Sequence, residues 1–149
     1  MPLTVAVASD HAGFAMKSEV LAELKKLGHE AFDFGPVDTA SVDYPDFAVK
    51  VTGAVTSGQA RFGVLICGTG IGMSIAANKV QGIRAAVCRS EYEARLSRGH
   101  NDANVLCLGQ RVTGSGLALE IVKAFLASPF EGGRHAGRVE KIRQVEAKR

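Results

Sequence analysis

The feature that most constrains this chain is a fivefold alternation of short β-rich runs with segments of helical periodicity. Residues 3–8, 30–34, 62–66, 84–88 and 104–108 read as strands, and residues 14–27, 46–57, 71–79, 91–98 and 116–127 as the helices that follow them. Val64-Leu65-Ile66 and Val105-Leu106-Cys107-Leu108 are apolar without alternation, the pattern of strands covered on both faces of a parallel sheet. The expected architecture is α/β: a doubly wound three-layer sandwich around a five-stranded parallel sheet with right-handed crossovers. In the first helix Val20, Leu21, Leu24 and Leu27 form a stripe to be buried, Lys17, Glu23, Lys25 and Lys26 fall outside it, and Gly28 reads as the stop.

With 149 residues, 46% of them hydrophobic, the chain has the size of one domain spanning residues 1–149. The formal charge of +3 gathers near the C-terminus rather than in a basic stripe with interleaved aromatics, so nucleic acid is not an expected partner. No apolar run is long enough for a membrane span and no cleavable leader is visible, which points to a cytoplasmic protein with no membrane partner. Cys67, Cys88 and Cys107 are odd in number and lack paired zinc spacing, so reduced thiols are expected. From about residue 130 to 149 the chain turns polar. It reads as a solvated helix, or, along the thin seam of Val139, Ile142 and Val145, as a segment that docks on this subunit or a partner.

Chemistry concentrates where the third strand ends. Val64-Leu65-Ile66-Cys67 runs into Gly68-Thr69-Gly70-Ile71-Gly72 and then a helix. Backbone N–H groups at a helix start are unpaired and carry partial positive charge, which stabilises phosphates or developing oxyanions and favours the thiolate form of an adjacent cysteine. The glycine spacing is not the dinucleotide fingerprint, which has one more residue before its last glycine, and steric relief is an equal reading of these glycines. Cys88 and Cys107, inside strands, read as small buried hydrophobes.

In open α/β sheets ligands bind beyond the carboxyl ends of the strands. Asp10 and His11 follow the first strand, Arg89 and Ser90 the fourth, Gln110 and Arg111 the fifth. Asp10 is equally suited to capping the first helix, and His11 to no role at all. His100 and Asn101 precede the fifth strand and so belong at the opposite edge, far from Cys67 in a single chain. Stabilising a loop is one reading of them, and delivery to Cys67 by a second subunit is another. Arg111, Arg134 and Arg138 are either solvated charges or, on glycine-flanked segments, a phosphate site built from paired guanidinium donors.

Taken together, Asp10-His11-Ala12-Gly13-Phe14, Asp43-Tyr44-Pro45, Ile66 to Gly72, Ala76-Ala77-Asn78-Lys79, Gly82-Ile83-Arg84-Ala85, Ser97 to Val105 and Glu131-Gly132-Gly133-Arg134-His135 resemble the type B ribose-5-phosphate isomerases. The wider group includes galactose-6-phosphate isomerase subunits, and the resemblance spans nearly the whole chain. It implies that Cys67 is the catalytic base, that Thr69 with the amides of Gly68, Gly70, Ile71 and Gly72 holds an enediolate, and that His100 opens the sugar ring. It also implies that Asp10, His11, Tyr44 and Asn101 contact sugar hydroxyls, while Arg111, Arg134 and Arg138 bind phosphate with His135 near them. One branch of the family replaces the cysteine with a glutamate at the position of Met73; this chain looks like the cysteine branch. Residues 35–42 match no part of the family pattern.

The implied activity is reversible aldose–ketose isomerisation of ribose 5-phosphate and ribulose 5-phosphate in pentose phosphate metabolism, with no cofactor and no metal. The resemblance further implies a homodimer or homotetramer whose site is shared between subunits. Isomerisation of a six-carbon phosphosugar such as galactose or allose 6-phosphate is the neighbouring alternative, and a non-catalytic phosphate-binding module the more distant one. A receiver-like signalling domain is a poor fit, because Cys67 and Arg111 stand where an aspartate and a lysine would be required.

Overall fold

Five strands, β1 (Thr4–Ser9), β2 (Glu30–Asp33), β3 (Phe62–Cys67), β4 (Ala85–Val87) and β5 (Val105–Gly109), form one sheet in the order β2-β1-β3-β5-β4. Every pairing is parallel. The structure, a computed structural model, describes residues 1–149. Six helices accompany the sheet: α1 (Phe14–Lys26), α2 (Tyr44–Thr56), α3 (Ile71–Ala77), α4 (Glu91–Gly99), α5 (Ser115–Ala127) and α6 (Arg134–Ala147).

The strands alternate their side chains between two cores, as a sheet covered on both faces requires. On one face Val5, Val7, Val64 and Ile66 pack against Val20 and Leu24 of α1 and Ile121 and Phe125 of α5. On the other, Ala6, Leu65 and Cys107 meet Val51 of α2 and Met73 and Ala77 of α3. The three layers of a doubly wound sandwich are therefore present. The strand order reverses direction between β1 and β3, and ligand sites of open α/β sheets lie at such a switch point.

Element boundaries shift modestly from those read in the sequence. Helix α2 begins at Tyr44 rather than residue 46, because Pro45 has no N–H to lose in the first turn. Helix α3 stops at Ala77 rather than residue 79, and Asn78 then bonds both the N–H and the C=O of Ala85, trimming β4 to three residues. The stop at Gly28 holds, with φ +82.

Two expectations fail. Leu27, placed in the buried stripe of α1, is 40% exposed because α1 ends at Lys26 and Leu27 is only its C-cap. Lys17 and Glu23, placed outside the stripe, are 2% and 8% exposed. Glu23 is covered where α1 meets α5 and pairs with Lys123 at 3.3 Å. Lys17 reaches Asp33 Oδ1 at 2.8 Å and the Pro36 carbonyl at 2.6 Å. Periodicity assigns a charged residue to solvent; a pair of acceptors at the end of β2 brings this one inside.

Candidate active site

Cys67 ends β3, and its Sγ accepts the Gly70 N–H at 3.1 Å. Gly70 adopts the left-handed conformation, φ +80, so the chain reverses sharply and aims this N–H back at the sulfur. Thr69 Oγ1 accepts the Ile71 N–H at 3.2 Å, and the first bond within α3 is Ser74 N–H to the Gly70 carbonyl. The Gly72 N–H, inside the first turn, has no partner within α3. Cys67 is 5% exposed, against 0% for Cys107, which pairs with Leu65 two residues behind it. Its sulfur thus sits at the mouth of the sheet, beside half-buried Gly68 and exposed Thr69.

Several predicted residues gather around this turn. A Cβ on Gly68 would lie 3.2 Å from Arg111 Nη1, and one on Gly72 would lie 2.7 Å from Tyr44 Cζ, so a guanidinium and a phenol flank the glycine loop. Bonds from Gln110 N–H to the Cys67 carbonyl (2.9 Å) and from Arg111 N–H to the Gly68 carbonyl (3.0 Å) tie it to the end of β5. Across the switch point, Asp10 N–H donates to the Ile66 carbonyl at 3.1 Å. Asp10 Oδ1 caps the turn His11–Gly13, accepting from Ala12 N–H at 2.9 Å and Gly13 N–H at 3.1 Å. His11 Nδ1 accepts the Val42 N–H at 3.2 Å.

His100, Asn101, Arg134 and Arg138 are elsewhere. Gly63 pairs with Val105 and Cys67 with Gly109, and the loop carrying His100 and Asn101 enters β5 at the Gly63 end. That is the amino edge of the sheet, about 13 Å of strand away from the sulfur. There the His100 ring stacks on His135 at 4.1 Å between centroids, with Glu131 Oε2 3.8 Å from His100 Nε2 and Glu131 Oε1 3.9 Å from His135 Nε2. Burial, together with the neighbouring His100 and Arg134 charges, holds the His135 imidazole below the usual histidine range. Exposed Arg134 and Arg138 lie one turn apart on α6 beside this pair. The donor atoms of His100, Glu131 and His135 lie within 4.8 Å of one another, so these three side chains are the group able to hold a metal ion.

Residues quoted in the sequence analysis but given no role there hold the second group in place. Buried Arg98 donates to Asp102 Oδ1 at 2.8 Å and to the Ala103 carbonyl at 2.7 Å, and Arg84 Nη2 reaches Asp102 Oδ2 at 3.2 Å. Asp102 has φ +47, a conformation costly for a non-glycine residue, and the two guanidiniums offset that cost. The local sequence carried one signal: an arginine and an aspartate four apart at a helix end.

A thiol, a glycine-rich turn and an arginine at the switch point of a parallel sheet define an α/β protein equipped for a small anionic ligand. The chain belongs to the ribose/galactose isomerase family, whose model matches residues 5–142. It is 50% identical to ribose-5-phosphate isomerase B of Escherichia coli, with 97% of each chain covered. It is 48% identical to a putative sugar phosphate isomerase of Bacillus subtilis, covering 98% of this chain and 99% of that protein. Among solved structures, ribose-5-phosphate isomerase B of Clostridium thermocellum superposes with a TM-score of 0.97 at 56% identity, covering 98% and 99% of the two chains. The type B enzyme of Trypanosoma cruzi superposes with a TM-score of 0.96 at 49% identity, covering 99% of each chain.

Proposed function

We propose that this protein interconverts ribose 5-phosphate and ribulose 5-phosphate through a cis-enediolate, with Cys67 as the base. The observation that carries the reading is the Cys67 sulfur, oriented by the Gly70 N–H at 3.1 Å, at the switch point of a sheet shared with ribose-5-phosphate isomerases. The thiolate takes the C2 proton of the open-chain aldose, the O2 proton passes to O1, and the thiol returns its proton to C1. Thr69 and the amides of the 68–72 loop stabilise the enediolate oxygens as charge develops. Asp10, His11 and Tyr44 hold sugar hydroxyls, and Arg111 faces phosphate.

His100 opens the furanose ring, Asn101 holds a hydroxyl, and Arg134 and Arg138 grip phosphate, all from a second copy of the chain. Two facts favour this arrangement. The two residue groups lie at opposite edges of one sheet, and Cys67 lines none of the cavities of the single chain. Residues 130–149 carry half of the phosphate site and extend the contact between copies, so the protein works as a homodimer or a homotetramer built from such pairs.

The test is incorporation of solvent deuterium at C2, run on ribose 5-phosphate and in parallel on galactose and allose 6-phosphates. Wild-type protein labels and converts the pentose, and Cys67→Ala loses about 10² to 10⁴ in kcat. A Cys67→Ala protein with normal turnover overturns the role of the sulfur. Labelling of only six-carbon sugars transfers the reading to those substrates, and no exchange with any sugar leaves a phosphate-binding module.

A further inference from the structure

We propose that Lys17 is a positioning residue for His11, acting through residues 33–42 to present one imidazole nitrogen to the substrate. The inference rests on the reading that His11 touches the sugar. Lys17 is 2% exposed, and an ammonium so buried is tolerated only when acceptors surround it. Here Nζ bonds Asp33 Oδ1 at 2.8 Å and the Pro36 carbonyl at 2.6 Å, with the Phe14 ring centroid 5.1 Å away. Asp33 Oδ1 also accepts the Gly35 N–H at 2.9 Å, and the Gly35 carbonyl accepts the Ser9 N–H at 3.1 Å. One buried charge thus fastens the exit of β2 to the end of β1, next to Asp10.

The segment leaving this anchor bounds a cavity of about 670 Å³ together with Phe47 and Lys50, and it returns at Val42 to the imidazole of His11. A backbone N–H can only donate, so Nδ1 of His11 carries no proton while it accepts from Val42 at 3.2 Å. The neutral ring then bears its hydrogen on Nε2, which makes His11 a donor of fixed direction toward a sugar oxygen. Without the anchor, residues 33–42 lose both bonds to Nζ, the Val42 contact loosens, and the ring samples both tautomers. Residues 35–42, given no role in the sequence analysis, acquire one by this route.

The experiment compares ¹⁵N NMR of the His11 imidazole in wild-type protein and in Lys17→Met at one and the same alkaline pH. In the wild type Nδ1 is the unprotonated nitrogen. In Lys17→Met the signal moves to a mixture of tautomers, while kcat/KM falls about 10- to 100-fold at temperatures well below unfolding. If Lys17→Met fails to fold, Asp33→Ala at a half-exposed position gives the same readout. A His11 tautomer unchanged in the folded variants overturns the proposal, whatever happens to Tm. Wild-type inactivity on every phosphosugar defeats the functional reading instead, and the tautomer comparison still decides whether Lys17 sets His11.

Discussion

Gly109 lies directly beneath Thr69: a Cβ added there would stand 2.6 Å from the Thr69 carbonyl carbon and 2.7 Å from its Cα. Because Gly109 is also the register partner of Cys67, this approach sets how closely the glycine loop folds over the sulfur. Gly109→Ala therefore lifts the loop. It should cost about 1 to 3 kcal/mol of stability by overpacking and lower kcat by about 10²-fold through displaced amides. Urea unfolding and initial rates measure the two effects separately; unchanged rates would free the loop from any catalytic role.

The three thiols should differ in reactivity. Burial pushes the Cys88 thiol up to about 11, and burial followed by the neighbouring Cys67 and Cys88 pushes Cys107 further in the same direction. Both stay protonated and inert at neutral pH, since the thiolate is the reactive form. Iodoacetamide on the native protein should modify Cys67 first and abolish activity in step with that label. Mass spectrometry showing Cys88 or Cys107 alkylated ahead of Cys67 would contradict the assignment.

Stability should fall on mild acidification. His135 is depressed in the folded state, so the unfolded chain binds the proton that the folded one refuses. Its contribution is fully present above the unfolded value of about 6.5 and is lost as pH falls through the lowered folded value. Urea midpoints at pH 7.5 and 5.5 should therefore differ less in His135→Asn than in the wild type. Equal pH slopes in both proteins would remove His135 as the source.

Ser9 Oγ is the one fully buried side-chain polar atom with no hydrogen-bond partner. Removing an unsatisfied hydroxyl relieves its desolvation cost, so Ser9→Ala should be neutral or stabilising, within about 1 kcal/mol. Calorimetry of the variant checks this; a loss of several degrees in Tm would mean the hydroxyl serves a contact made only in the assembled or liganded protein.

Local patterns carried the strands, the helix stop at Gly28 and the thiol-and-glycine turn, because each is dictated by residues within one or two turns of chain. Unbroken apolar runs such as Val64-Leu65-Ile66 announce a strand buried on both faces wherever it lands. Gly28 and Gly70 announce backbone reversals that side chains resist. The opposite placement of His100 and Cys67 was also legible, since a loop entering a parallel strand must lie at the amino edge.

The contacts between distant segments were decided only in three dimensions. Nothing within α1 marks Lys17 for burial, because its acceptors arrive from Asp33 and Pro36 at the end of β2. The stacking of His100 on His135 brings together a loop before β5 and the start of α6, 35 residues apart in the chain. Periodicity reports which face of an element is apolar; which polar groups meet across elements depends on strand order and helix docking. Chain connectivity thus determined the layers and the reactive turn, and tertiary packing determined which charges enter the interior and which side chains face one another.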